Sequence, residues 1–191
     1  GFHAGIVNLQ GSGSSSEIDQ WFSDVVYQVE RKLGLETDSL EWWERFASLS
    51  AGLRFQTFLE EVVLNEIDGS IVLFFDEVDT VFGLPFSNEI FATLRTFYNT
   101  RASNAVLNRL TFALAGSEVA GSAQENEDHA LLNISYLIKL DDFEQDDLAS
   151  FKRDLSFDEK LLDRVYYWTN GQPQLVQALA EWCHPLTGSD S

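Results

Sequence analysis

Apolar residues along this chain follow two periodicities. Short runs at residues 4–9, 71–75, 110–115 and 136–140 read as strands, and between them the spacing turns helical. The run Ile71-Val72-Leu73-Phe74-Phe75 follows an Asp68-Gly69 turn signal without a polar break, the pattern of a strand buried on both faces of a parallel sheet. Ile18, Trp21, Phe22, Val25, Val29 and Leu33 mark a first helix, with Ser16 and Asp19 at its start and Gly34 able to end it. Leu53, Phe58, Leu59, Val62 and Val63 mark a second. Ile90, Phe91, Leu94, Phe97 and Tyr98 mark a third, with Ser87 as its N-cap.

After residue 140 the pattern turns to helices alone. Helices are expected over 141–155 and 156–169, the second opened by Ser156 and Glu159. A third starts at Pro173, after Gly171, and runs to about Cys183. Its apolar face is expected to pack through Leu175, Val176 and Leu179, with Trp168 buried nearby. Strands alternating with helices, then helices alone, predict an α/β fold: a parallel sheet of about four strands with flanking helices, then a C-terminal helical lid. The expected division is a core over 1–140, a lid over 141–185 and a tail over 186–191.

Composition narrows the function classes. Twelve basic residues against 31 acidic give a net charge of −19, which opposes a bulk electrostatic grip on nucleic acid or anionic lipid. No stretch is long and apolar enough to span a bilayer, and no basic segment precedes an apolar core at the start. A single cysteine, Cys183, excludes an internal disulfide framework and fits a reducing cytoplasm. The chain contains no Met and opens on Gly1-Phe2-His3, so it is expected to be a segment of a longer protein.

The candidate chemistry lies where the second apolar run ends. Ile71–Phe75 gives way to Asp76-Glu77-Val78-Asp79, and ligands of parallel sheets sit beyond the carboxyl ends of the strands. This is the pattern of a Walker B element. In that role Asp76 holds magnesium through water and Glu77 polarises the water that attacks a terminal phosphate. The alternative is a strand that simply re-enters solvent, its acids capping the next turn. Gly11–Ser16 lacks a lysine and matches neither GxxxxGK[ST] nor GxGxxG, so it reads as a flexible connector. Residues 119–128 read as an acidic loop. His3, His129 and His184 are scattered without metal-ligand spacing, and no nucleophile elbow is present. Trp42-Trp43 and Tyr166-Tyr167-Trp168 read as packing aromatics. Arg95, Arg101 and Arg109 lie between the acid-bearing strand and the next; they read as cations for phosphate charge or as partners of surface acids.

Taken together, residues 71–79, Leu94-Arg95, residues 98–102, residues 109–116 and Trp168-Thr169-Asn170-Gly171-Gln172-Pro173 resemble the AAA-like domain of bacterial, especially cyanobacterial, signalling proteins, which is similar to the STAND class of P-loop NTPases. The resemblance implies a P-loop NTPase-like core and an ATP-binding signal-transduction switch. Its partners are other domains of the same protein, with self-association, and neither nucleic acid nor membrane. It implies Asp76 as the magnesium residue, Glu77 as the catalytic acid, Ser117 beside Gly116 in the sensor-1 region, and Gly171 and Pro173 as a GxP motif of the lid. The Walker A segment and its strand are missing from this sequence, Asn8 stands where an acid is expected, and residues 130–134 depart from a Pro-Phe-Asn-Ile pattern. ATP and magnesium are therefore expected in a longer parent, with none bound by this chain alone. The alternatives are an inactive NTPase-like interaction scaffold and, ranked last, a magnesium-dependent nuclease or phosphatase. A receiver domain is excluded because no acidic pair follows the first strand.

Overall fold

The computed structural model describes residues 2–11, 17–116, 135–136, 138–149 and 159–183. It divides into two compact units, residues 1–136 and residues 137–191, each described by itself below. Ser117, the 119–128 loop, residues 130–134, His129, His184, Ser156, most of the Gly11–Ser16 stretch and the 186–191 tail lie outside the described residues.

The first unit is built on three parallel strands in the order β1-β2-β3: β1 is Phe2–Asn8, β2 is Ser70–Asp76 and β3 is Leu110–Leu114. The register pairs Asn8 with Asp76 and Phe75 with Leu114, so all three strands point their carboxyl ends the same way. Helices α1 (Ile18–Leu33), α2 (Ser39–Arg45), α3 (Ala51–Phe58), α4 (Asp79–Phe82) and α5 (Ser87–Thr100) complete the unit. A π-helical turn over Leu59–Val63 and a last turn at Leu64–Glu66 carry α3 onward. Gly34 ends α1 in the left-handed conformation, φ 68°, and its N–H bonds Glu30 O. The start of α1 differs from expectation. Glu17 is its N-cap, and Asp19 reaches sideways to Trp43 and Arg54 instead of capping the helix. Helix α5 likewise starts at Ser87, with Phe86 as N-cap.

The core lies on one face of the sheet. Val7, Ile71, Leu73, Phe75 and Leu110 turn inward against Phe22, Val25, Val29, Phe55, Phe58, Ile90, Leu94 and Phe97. Phe112 bridges sheet and helix, stacked on Phe75 at 5.6 Å and edge-on to Phe97 at 5.3 Å. The expectation of a strand buried on both faces is corrected here. Side chains alternate along a strand, and Phe74 is 39% exposed while Ile6, its register partner, is 58% exposed. An unbroken apolar run therefore does not mean two covered faces. Leu53 is also misplaced by the sequence reading: it is exposed, and Phe55 takes the core position.

The sheet has three strands among the described residues, not four. At the expected fourth strand the described residues 136 and 138–140 carry no strand, and Tyr136, Ile138 and Leu140 stand in solvent. Strand propensity without a neighbour's hydrogen bonds or a face to bury against does not fix a strand.

The second unit pairs helix α6, Glu159–Thr169, with helix α7, Pro173–Cys183. A 3-10 turn over Gln145–Leu148 stands among the described residues of the segment expected to begin a helix at 141. Its small core is Leu148, Leu162, Val165, Val176 and Ala180, with Phe143, Leu179 and Cys183 half-buried against it. Two expectations fail. Trp168 is 70% exposed and Leu175 is 54% exposed. Each lies about 100° around its helix from a buried neighbour, Thr169 and Val176, while Val176 and Leu179 pack in the small core as expected.

Candidate functional site

The carboxyl ends of β1 and β2 and the segment that follows β3 form the candidate site. Each is fixed by backbone bonds that continue past the strands. Leu9 N donates to Asp76 O at 3.0 Å, Ala115 N to Phe75 O at 2.8 Å and Val78 N to Ala115 O at 2.9 Å. The Asp76–Val78 corner is thus tied to β1 on one side and to the continuation of β3 on the other.

Within that corner Asp76 Oδ1 accepts the Glu77 N–H at 3.0 Å. Glu77 itself has φ +60°, one of two non-glycine residues with positive φ among those described. Its carbonyl accepts the Thr80 N–H at 3.0 Å and the Thr80 hydroxyl at 2.7 Å. The chain then turns into α4, placing Asp79 over Gly116, where an added Cβ would stand 2.5 Å from Asp79 Oδ1. The acids are half-buried. On the β1 side, Gln28 from α1 brackets Asn8, donating to its carbonyl and accepting its N–H, both at 3.0 Å, while Asn8 Oδ1 accepts the Gln10 N–H at 2.8 Å.

These acids come from one turn. Among the described residues no group of three or more His, Cys, Asp or Glu side chains is gathered to hold a metal ion. Asn8 and Gly116 stand at the ends of the neighbouring strands where a nuclease-like metal site needs further acids.

Two of the three arginines, Arg101 and Arg109, are taken up by backbone carbonyls. Arg109 donates to the carbonyls of Gly69 at 2.8 Å, Leu64 at 3.0 Å and Ile67, and Arg101 donates to Leu110 O. Both tie down the amino end of the sheet, about 20 Å from Asp76 at the rise of a strand. Burial pushes the Arg101 guanidinium down from its ordinary pKa, with Tyr98, 4.8 Å away, acting against the shift. Arg95 is half-buried on α5.

An acid-bearing corner at the end of a parallel strand, followed by a small helical unit, now has its comparison among known proteins. The AAA-like domain family matches residues 7–184. This chain belongs to that family. A relative, an uncharacterized WD repeat-containing protein of Synechocystis sp., is 30% identical over 183 residues, which cover 92% of this chain and 15% of the relative. The chain thus spans about one-seventh of the length of the curated relative it matches. No solved structure matches.

In the second unit of this AAA-like domain, Gly171 has φ +81°, and an added Cβ would stand 2.0 Å from Phe143 O. The Phe143 N–H in turn donates to Gly171 O at 2.8 Å. Pro173 is the first residue of α7, where its missing N–H leaves nothing unsatisfied. Gln172 accepts the Leu175 N–H through its side chain at 2.6 Å, a cap the sequence reading missed. Thr80 and Gln28 were missed too. Thr80 carries a local signal, a hydroxyl three residues after an acid at a helix start. Gln28 carries none, because its contact with Asn8 spans 20 residues.

Proposed function

We propose that this AAA-like domain is the acid-bearing part of an ATP-dependent switch in a longer signalling protein. The observation that carries the reading is the Asp76–Glu77 corner at the carboxyl end of the central strand, tied to both neighbours. Magnesium keeps several waters and takes one or two carboxylates together with nucleotide phosphates, so a single protein acid suits it. Asp76 has one oxygen engaged by the Glu77 N–H and offers the other to a magnesium-bound water. Glu77 orients the attacking water, and the family resemblance implies Ser117, Gly171 and Pro173 as further nucleotide-binding residues. Bound magnesium supplies neutralisation of the phosphate charge.

The sequence holds no GxxxxGK[ST] run, so phosphate affinity depends on a cradle this sequence does not contain. The relative in which the matching segment is 15% of a WD repeat-containing protein supports a module that works alongside other domains. The test is ATP binding and hydrolysis by the longer protein, with wild-type sequence and with Glu77→Gln. The expected result is unchanged affinity with turnover lost. A Glu77→Gln protein that still hydrolyses ATP, or a wild type that does not bind it, sinks the reading.

One observation favours a second reading, an NTPase-like scaffold without catalysis. The sheet face of Ala4, Ile6, Val72 and Phe74 is apolar and open, the character of a surface that binds protein. On this reading Glu77→Gln leaves partner binding untouched, whereas Phe74→Glu abolishes it.

A further inference from the structure

Glu77 adopts a conformation that a side chain makes costly. A left-handed φ suits glycine, and a non-glycine residue held there marks a place where the surroundings over-determine the backbone. Asp76 is bonded through its carbonyl to Leu9, and Val78 through its N–H to Ala115. The residues on both sides of Glu77 are therefore fixed to different strands, and the turn must be made at Glu77. One group answers its carbonyl: Thr80 donates to it from both N–H and hydroxyl. The N–H bond closes a tight turn leading into α4 and any residue but proline could make it, whereas the hydroxyl bond is particular to this side chain.

We propose that Thr80 is a positioning residue, whose hydroxyl holds the Glu77 backbone left-handed and so sets the direction of the Glu77 carboxylate. The inference rests on the switch reading for what the carboxylate does, but not for how it is held. Valine keeps the shape of threonine and loses the hydroxyl; serine keeps the hydroxyl.

The test has two arms. In the first, Glu77→Gly and Glu77→Ala are made in the 191-residue chain, each alone and each combined with Thr80→Val, and thermal midpoints are measured without nucleotide. The expected result is a higher midpoint for Glu77→Gly than for Glu77→Ala, because glycine relieves the positive φ. That advantage should shrink when Thr80→Val frees the turn to relax. A glycine advantage that is absent, or that is unchanged by Thr80→Val, overturns the proposal. In the second arm, ATP turnover is measured in the longer protein. Thr80→Val should lower kcat at least about tenfold with KM unchanged, since misplacing a catalytic group acts on the chemical step. Thr80→Ser should restore it. A wild type without turnover removes the switch reading and leaves the first arm to decide how Glu77 is held. A wild type that turns over, with Thr80→Val equally active, removes the positioning role.

Discussion

Arg54 is a polar side chain whose loss should damage the first unit. It is 4% exposed and joins three elements with one guanidinium. Nη2 meets Asp19 of α1 at 3.0 Å and donates to Leu49 O at 3.0 Å and Ala47 O at 3.3 Å; Nη1 donates to Trp43 O of α2 at 3.4 Å. The guanidinium also lies over the Trp43 ring at 4.4 Å, and Trp43 Nε1 donates to Asp19 at 3.3 Å, closing a cycle. The Asp19 pair contributes little by itself, under about 1 kcal/mol, because that carboxylate is half-exposed and water can replace the arginine. The carbonyls matter more. Hydrogen bonds to a charged donor contribute roughly 1.5–3 kcal/mol each, and only the bond to the Trp43 carbonyl is buried at both ends. Adding about 0.5–1 kcal/mol for the ring contact gives a total near 3 kcal/mol for Arg54→Ala.

For a chain of this size that loss lowers the unfolding midpoint by about 6–12 °C. The assay is tryptophan emission during heating. Trp21, Trp42 and Trp43 are buried in the first unit, whereas Trp168 and Trp182 are exposed, so the blue part of the emission reports the first unit. Arg54→Met should recover the packing but not the carbonyl partners and fall between. Arg54→Lys should not rescue, because a single ammonium cannot reach four acceptors in a fork. Arg54→Ala and Arg54→Met both melting within about 0.5 kcal/mol of wild type would refute the reasoning, since such values belong to surface substitutions.

Gly116→Ala should destabilise the first unit by about 1–3 kcal/mol in chemical denaturation, because the new Cβ meets Asp79 Oδ1 at 2.5 Å and Val78 Cγ1 at 3.0 Å, and relief moves the acid-bearing corner. Gly171→Ala should be worse for the second unit: the obstacle is the Phe143 carbonyl at 2.0 Å, and φ is +81°, so amide exchange across α6 and α7 should rise together. Val176→Ala should lower stability by about 1–2 kcal/mol, whereas Leu175→Ala should change the melt by less than about 0.5 kcal/mol, reversing the order their sizes suggest.

The elements that local pattern controls were legible. A period of 3.6 found α1 and α5, Gly34 ended α1 where a left-handed residue was needed, and Pro173 opened α7 at its first turn. What was not legible depended on what lies beside an element. The same five apolar residues make β2 whether one face or two are covered, so Phe74 in solvent was invisible to a pattern count. At residues 136–140 the pattern promised a strand, but pairing is supplied by a neighbour and not by the run itself. Trp168 and Leu175 failed for a smaller reason: each sits one residue, about 100°, off the buried stripe of its helix.

At the site, the sequence could say which acids end the strand but not how they are held. Asp76 and Glu77 were adjacent letters; their difference lies in the backbone. Asp76 is still in the ladder, extended and paired with Asn8, whereas Glu77 has left it with φ +60°. Adjacent side chains on an extended strand point to opposite faces, so two acids can serve one ligand only if the chain turns between or just after them. The left-handed residue is that turn. Its position follows from two long-range bonds, Leu9 to Asp76 and Val78 to Ala115, which fix the chain on either side and leave Glu77 to absorb the change of direction. A glycine there would make the turn at less conformational cost, but it would carry no carboxylate. Retaining an acid at a glycine-like position is the local conflict between propensity and structure that accompanies a functional residue, and it is why the corner, more than the acidic letters themselves, directs the proposal to Glu77.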